Sequence, residues 1–122
     1  MSEERKIHPL QRAWLAGVFE GKAQITQKLN VIRIDSFSEP TLTRFAEAAG
    51  VGTVTRHPNS PNQWKYVTNS LDGTRDLILM VLPLLSPNRA KTATDLLRRI
   101  ERNPTWQKKH AKKAASSVTK PA

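Results

Sequence analysis

Trp14-Leu15-Ala16-Gly17-Val18-Phe19-Glu20-Gly21-Lys22-Ala23-Gln24-Ile25 changes its periodicity halfway along. Up to Phe19 the apolar residues Leu10, Trp14, Leu15, Val18 and Phe19 recur at helical spacing, which predicts a helix. Pro9 suits the first turn of that helix, where the missing N–H has no partner to lose. A second stripe, Ala13, Gly17 and Gly21, runs at strict i, i+4, i+8 positions. Glycine inside a helix costs about 1 kcal/mol relative to alanine, so two on one face imply the close approach of another backbone. Past Gly21 the period becomes two. Lys22, Gln24, Thr26 and Lys28 are polar and Ala23 and Ile25 apolar, with Asn30 continuing the polar side. Val31-Ile32-Arg33-Ile34-Asp35 repeats the alternation, Ile32 and Ile34 against Arg33 and Asp35. Two such runs predict a β-hairpin with one wet face, although no Asn-Gly or Asp-Gly marks its turn.

Downstream the pattern repeats in kind. Ser38 or Glu39 opens a second helix with Pro40 in its first turn, running through Leu42, Phe45, Ala46 and Ala49 to a stop at Gly50. Strands around 52–56 and 64–68 flank the polar loop His57-Pro58-Asn59-Ser60-Pro61-Asn62-Gln63 and form a second hairpin. Which of Trp64, Lys65, Tyr66 and Thr68 lie on its wet face depends on a register that the pattern leaves open. Asp72 is the expected N-cap of a helix reaching Leu85, with the apolar run Leu77 to Leu85 read as core. Asn88 opens a last amphipathic helix. Ala93, Leu96, Leu97 and Ile100 line one side of it and Arg89, Lys91, Arg98, Arg99 and Arg102 the other. From Pro104 the periodicity fades into a lysine-rich segment without acids. Residues 1–103 are therefore read as the domain and 104–122 as a basic, mobile tail. No internal repeat is present, so any two-fold symmetry must come from a second chain.

Composition narrows the function classes. A chain of 122 residues fits one domain, and 38% apolar residues allow a modest core. Twenty Lys and Arg against ten Asp and Glu give a formal net charge of +10, which points to a polyanionic partner. The absence of cysteine excludes disulfides, cysteine-ligated zinc, iron–sulfur clusters and a thiol nucleophile. The run Leu77 to Leu85 is interrupted by Pro83 and falls short of the roughly 20 residues a membrane span needs. The N-terminal residues have no apolar core of a secretory signal, so the expected location is the cytoplasm or the nucleoid and not outside the cell. His8, His57 and His110 lie in three separate segments without metal-ligand spacing. No Ser-His-Asp set can be assembled, and Gly50-Val51-Gly52 reads as a helix stop rather than a phosphate loop.

The segment from Leu15 resembles the signature of the LAGLIDADG homing-endonuclease family: leucine, alanine, glycine, two apolar residues, an acid and a small residue. Leu82-Pro83-Leu84-Leu85-Ser86-Pro87-Asn88-Arg89-Ala90 is similar to the family's segment before its last helix, and the element order agrees over residues 8 to 102. The resemblance implies an α+β fold of order αββαββα, with a four-stranded antiparallel saddle sheet and a C-terminal helix. It implies that motif helices of two subunits pack through Ala13, Gly17 and Gly21, and that each sheet lies in the DNA major groove. It also implies a carboxylate at the eighth motif position, which binds divalent metal for phosphodiester hydrolysis.

At that eighth position stands Lys22, followed by Ala23 where the family has glycine. An ammonium group only donates and cannot ligate magnesium. Two of them across a two-fold axis would repel both the metal and each other. Glu20 lies two residues earlier, about 200° around the helix, and reaches the same place only at the helix end. The expectation is a homodimer that binds duplex DNA sequence-selectively and has lost metal-dependent cleavage, with no cofactor. Lys22, Gln24, Thr26, Lys28, Arg33 and Asp35 are the expected base readers, by the pairings Gln with adenine, Lys or Arg with guanine and Asp with the cytosine amine. Arg56, Lys65, Arg89, Lys91 and the tail are expected on phosphates. Two alternatives stand beside this reading. One is an active double-strand endonuclease that uses Mg2+ on Glu20 or on a partner subunit's acids; the other is a module that uses the fold to bind RNA or another protein.

Overall fold

His8 opens the first helix, its Nδ1 accepting the backbone N–H of Leu10 at 3.1 Å, with Pro9 in the first turn. In the computed structural model, which describes residues 7–25, 30–36 and 38–118 and side chains as far as 111, this helix is α1 (Pro9–Lys22). It is followed by β1 (Gln24–Ile25), β2 (Ile32–Ser36), α2 (Glu39–Ala49), β3 (Thr53–Arg56), β4 (Trp64–Val67), α3 (Leu71–Val81), a 3-10 turn over Leu82–Leu84, α4 (Pro87–Arg102) and α5 (Pro104–Val118). Residues 26–29, which include the expected base readers Thr26 and Lys28, lie outside the described residues.

The four strands form one antiparallel sheet in the order β1-β2-β4-β3. Strand alternation puts Ile32, Ile34 and Tyr66 on the helix side, where they are fully buried with Leu15 and Phe19 of α1, Leu42 and Phe45 of α2, Leu77, Ile78 and Val81 of α3, and Leu96 and Ile100 of α4. Phe45 meets Tyr66 edge-on at 5.0 Å, and the Tyr66 hydroxyl donates to the Val51 carbonyl at 2.8 Å, so the largest buried ring leaves no polar atom unsatisfied. Gly52 makes room for that ring. Its φ is 96°, and a Cβ there would fall 2.2 Å from the ring edge. Gly50, at φ 75°, ends α2 as the helix-stop reading requires. Buried hydroxyls close the junction with α3: Thr68 Oγ1 accepts from the Ile32 N–H at 2.9 Å and from the Thr74 hydroxyl at 2.7 Å.

Two helices, α3 and α5, differ from the sequence reading. Ser70 caps α3, accepting the Gly73 N–H at 2.9 Å, and Asp72 sits inside the first turn. The helix stops at Val81 rather than Leu85 because Pro83 has no N–H to donate and the chain tightens into the 3-10 turn. Of the Leu77–Leu85 run, Leu77, Ile78 and Val81 are core, whereas Leu79 and Leu84 are exposed. The segment read as a basic, mobile tail is helix from Pro104 to Val118. Asn103 caps it, its Oδ1 accepting from the N–H groups of Thr105 and Trp106 at 2.9 and 3.3 Å, with Pro104 in the first turn. Trp106 packs against the core. Among the described side chains, the Trp106 anchor and the polar bonds to Asp72 hold α5 where an apolar stripe holds α4, so periodicity alone misses it. No helix among the described residues is long and apolar enough to cross a membrane.

Candidate nucleic-acid interface

The face of the sheet turned away from the helices follows from the register. Gln24 pairs Arg33, Arg33 pairs Val67 and Val67 pairs Thr53; one step along, Asp35 pairs Lys65 and Lys65 pairs Thr55. All seven point to the open side, exposed or half-buried. Four of the expected DNA-binding residues, Gln24, Arg33, Asp35 and Lys65, are thus brought together on one surface. Arg56 is not among them. It pairs Trp64, which pairs Ser36, on the helix side of the sheet, and at the end of the edge strand its guanidinium lies 5.1 Å from the Trp64 ring.

Asp35 is also not the free acceptor that a cytosine amine requires. Its two oxygens accept from Arg33, Nε to Oδ1 at 2.9 Å and Nη2 to Oδ2 at 3.2 Å. The same Nη2 lies 3.0 Å from His57 Nε2. Sequence reasoning reads His57 as a surface histidine, near a phosphate at most; it continues the parity of Thr53 and Thr55 and so belongs to the open side.

At the foot of α1, Lys22 is the last helical residue and is exposed, while Ala23 turns the chain into β1. Glu20 faces α4. Its Oε1 accepts the Ser86 N–H at 2.8 Å and its Oε2 the Ser86 hydroxyl at 2.7 Å. The Ser86 backbone bond above all, then the hydroxyl and the nearby Arg89 charge, hold the Glu20 carboxyl below its ordinary pKa. Arg89, expected on a phosphate, instead donates from Nε to the Glu20 carbonyl at 3.1 Å and from Nη1 to the Ala23 carbonyl at 2.8 Å. It thereby caps the negative end of α1. Ser86 and Arg89, at the start of α4, therefore lock the foot of α1. A carboxylate whose two oxygens already accept from Ser86, with the Arg89 guanidinium nearby, is a poor ligand for a hard cation.

Along the outer side of α1, Ala13, Gly17 and Gly21 are exposed beside Leu10, which is 76% exposed. A Cβ added at Gly17 or Gly21 would meet nothing within 4 Å, so no described part of this chain uses the space they leave. A separate cluster ties α5 to α3. Asp72 accepts from the Trp106 indole N–H at 3.0 Å and from Lys109 Nζ at 2.6 Å, with His110 Nε2 at 2.9 Å. The Trp106 and His110 rings stack at 4.0 Å. Lys109 above all pulls the Asp72 pKa down to about 2; burial, the next largest effect, opposes it, and His110 and Trp106 add to the lowering.

No protein-family model and no curated protein matches this sequence. Solved structures do match in fold. The chain is similar to the homing endonuclease I-CvuI in complex with the I-CreI target, in the structure with 2 mM Mg that shows DNA not cleaved. Here identity is 22% and TM-score 0.63, over 78% of this chain and 68% of that one. It is similar to the archaeal intron-encoded homing endonuclease I-Vdi141I complexed with DNA, at 14% identity and TM-score 0.57, over 93% and 85% of the two chains. It is also similar to the group I intron-encoded homing endonuclease I-CeuI complexed with DNA, at 17% identity and TM-score 0.65, over 81% of this chain and 57% of that one. The architecture is therefore the α+β homing-endonuclease fold that the motif resemblance implies.

Proposed function

We propose that this chain, built on the homing-endonuclease fold, is a homodimeric protein that binds duplex DNA sequence-selectively with the open face of its sheet and does not cut it. The observation that carries the reading is that face: Gln24, Arg33 and Lys65 stand together on one side of an antiparallel sheet whose other side is packed by helices. Amide, guanidinium and ammonium groups at strand spacing suit base edges, and the major groove, about 12 Å wide, admits a two-stranded ribbon. The net charge of +10 suits the phosphate backbone. The similar solved structures named above are complexes with DNA.

The dimer in this reading is made by α1. The open stripe of Ala13, Gly17 and Gly21 lets a second copy of the helix approach backbone to backbone, which accounts for two glycines inside a helix. The absence of cleavage rests on the foot of that helix. A divalent cation needs oxygen donors, and Lys22 offers none, while both Glu20 oxygens accept from Ser86. These residues do not fit a magnesium site, and the reading routes no step through one. Lys22 instead places a cation where a phosphate can be held.

The test is binding of the full chain to a randomised duplex pool by fluorescence anisotropy over a salt series, followed by incubation of the best-bound duplex with magnesium or manganese. The expected result is affinity that falls steeply with salt and a duplex that stays intact. Equal affinity for RNA of the same sequence, or no duplex binding, overturns the DNA reading; magnesium-dependent cutting overturns the loss of cleavage.

A further inference from the structure

Arg33 is held on two sides before any partner arrives. Its Nε and Nη2 donate to the two oxygens of Asp35, and the second Nη2 hydrogen faces His57 Nε2. Three of the five guanidinium N–H donors are thus engaged, and among the described residues nothing accepts from Nη1. The Asp35 side chain is only 18% exposed against 37% for Arg33, so the acid works from beneath while the guanidinium meets solvent.

We propose that Asp35, Arg33 and His57 form a preset guanine reader in which the His57 imidazole stands in for the base until DNA binds. The inference rests on the DNA-binding reading above and adds how Asp35 and His57 preset Arg33 and by what exchange it reaches the base. Guanine offers N7 and O6 side by side in the major groove, two acceptors that match two parallel N–H groups at the end of a guanidinium. Adenine offers one acceptor beside an amino donor, thymine a single acceptor and cytosine an amino donor, so none of them satisfies the pair. The end of Arg33 presents one N–H from Nη1 and one from Nη2. The first has no described acceptor, and the second is the one that His57 holds.

His57 is suited to give it up. Its Nδ1 lies 3.2 Å from the backbone N–H of Asn59, so both ring nitrogens face donors. A neutral imidazole has one bare nitrogen and accepts from Arg33 or from Asn59, not from both. Releasing Arg33 lets the ring accept from Asn59 instead, so the exchange of His57 for guanine leaves the histidine with the same number of accepted bonds. Asp35 meanwhile keeps the guanidinium in one plane, so little side-chain freedom remains to be lost when the base docks.

The test uses the full chain in binding-site selection from a randomised duplex library. Wild type is expected to select guanine at one position of each half-site. Arg33→Gln is expected to lose about 5- to 150-fold of guanine preference there while the other positions hold. Replacing that guanine by 7-deazaguanine, which lacks N7, is expected to weaken wild type and leave Arg33→Gln unaffected. This second measurement is made on wild type and does not depend on the variant folding. In 15N spectra the His57 Nε2 resonance is expected to shift when the selected duplex is added. Guanine preference unchanged by Arg33→Gln, or indifference of wild type to 7-deazaguanine, overturns the inference while the DNA reading stands. Duplex binding without base preference does the same. Absence of duplex binding overturns both.

Discussion

Glu20 near the end of α1 grips Ser86 at the start of α4, one carboxylate oxygen on the backbone N–H and the other on the hydroxyl. The acid two residues before Lys22 thus joins α1 to the start of α4 through a contact between residues 66 apart in sequence. Glu20→Gln is expected to lower the Tm and to leave duplex affinity unchanged at temperatures where the fold is intact. The pH dependence has a definite sign. Because the folded pKa lies below the ordinary value of 4.5, the carboxylate's contribution is present above that pH and is lost as pH falls through the lowered folded value. Calorimetry of both proteins from neutral to acid pH checks it: the Tm gap should close on acidification. A gap independent of pH counts against the ionised pairing.

Asp72 should act as the acid-sensitive hold on α5. Its folded pKa of about 2 lies below the ordinary 3.8, so its contribution is complete above 3.8 and disappears as pH falls toward 2. The indole N–H resonance of Trp106, which donates to Asp72 Oδ1, reports the contact directly. It is expected to move in that window for wild type. Asp72→Asn should abolish this acid step and loosen α5 already at neutral pH.

Gly17→Leu separates assembly from folding. A side chain at Gly17 meets nothing within 4 Å in its own chain, and leucine favours helix over glycine by roughly 1 kcal/mol, so the variant should fold. Between two closely packed helices the same side chain overpacks the contact, at a cost of ~1–3 kcal/mol or more. Light scattering at tens of micromolar is expected to show a dimer for wild type and a monomer for the variant. A monomeric wild type would remove the α1 interface from the reading.

Lys22→Glu reverses the charge at the foot of α1. It is expected to weaken metal-free duplex binding, because an anion replaces a cation beside the phosphates. In the presence of DNA it should also create magnesium binding, measurable by titration calorimetry, that wild type lacks. Unchanged metal-free affinity would show that Lys22 does not touch the backbone.

What the sequence determined by itself was whatever short-range chemistry specifies. The helical stripe Leu15, Val18 and Phe19, the stop at Gly50 and the alternation around Ile32 and Ile34 each depend on neighbours a few residues away. The helices and strands they predict, and the wet side of β2, appear where expected. The side of Arg56 was not determined by the pattern, because the register of the second hairpin stayed open until β3 paired with β4. The tertiary structure decided what depends on partners far along the chain. Helix α5 is held through Trp106 and Lys109 by Asp72, 34 and 37 residues away, contacts that no local pattern announces. The strand order β1-β2-β4-β3 is what brings His57 across to Arg33, and no spacing rule links positions 24 residues apart. Asp35 and Glu20 read as free acceptors because a carboxylate's charge is written in the sequence while the donor it meets is not. In the folded chain each meets its donor, Arg33 in one case and Ser86 in the other, before any ligand arrives.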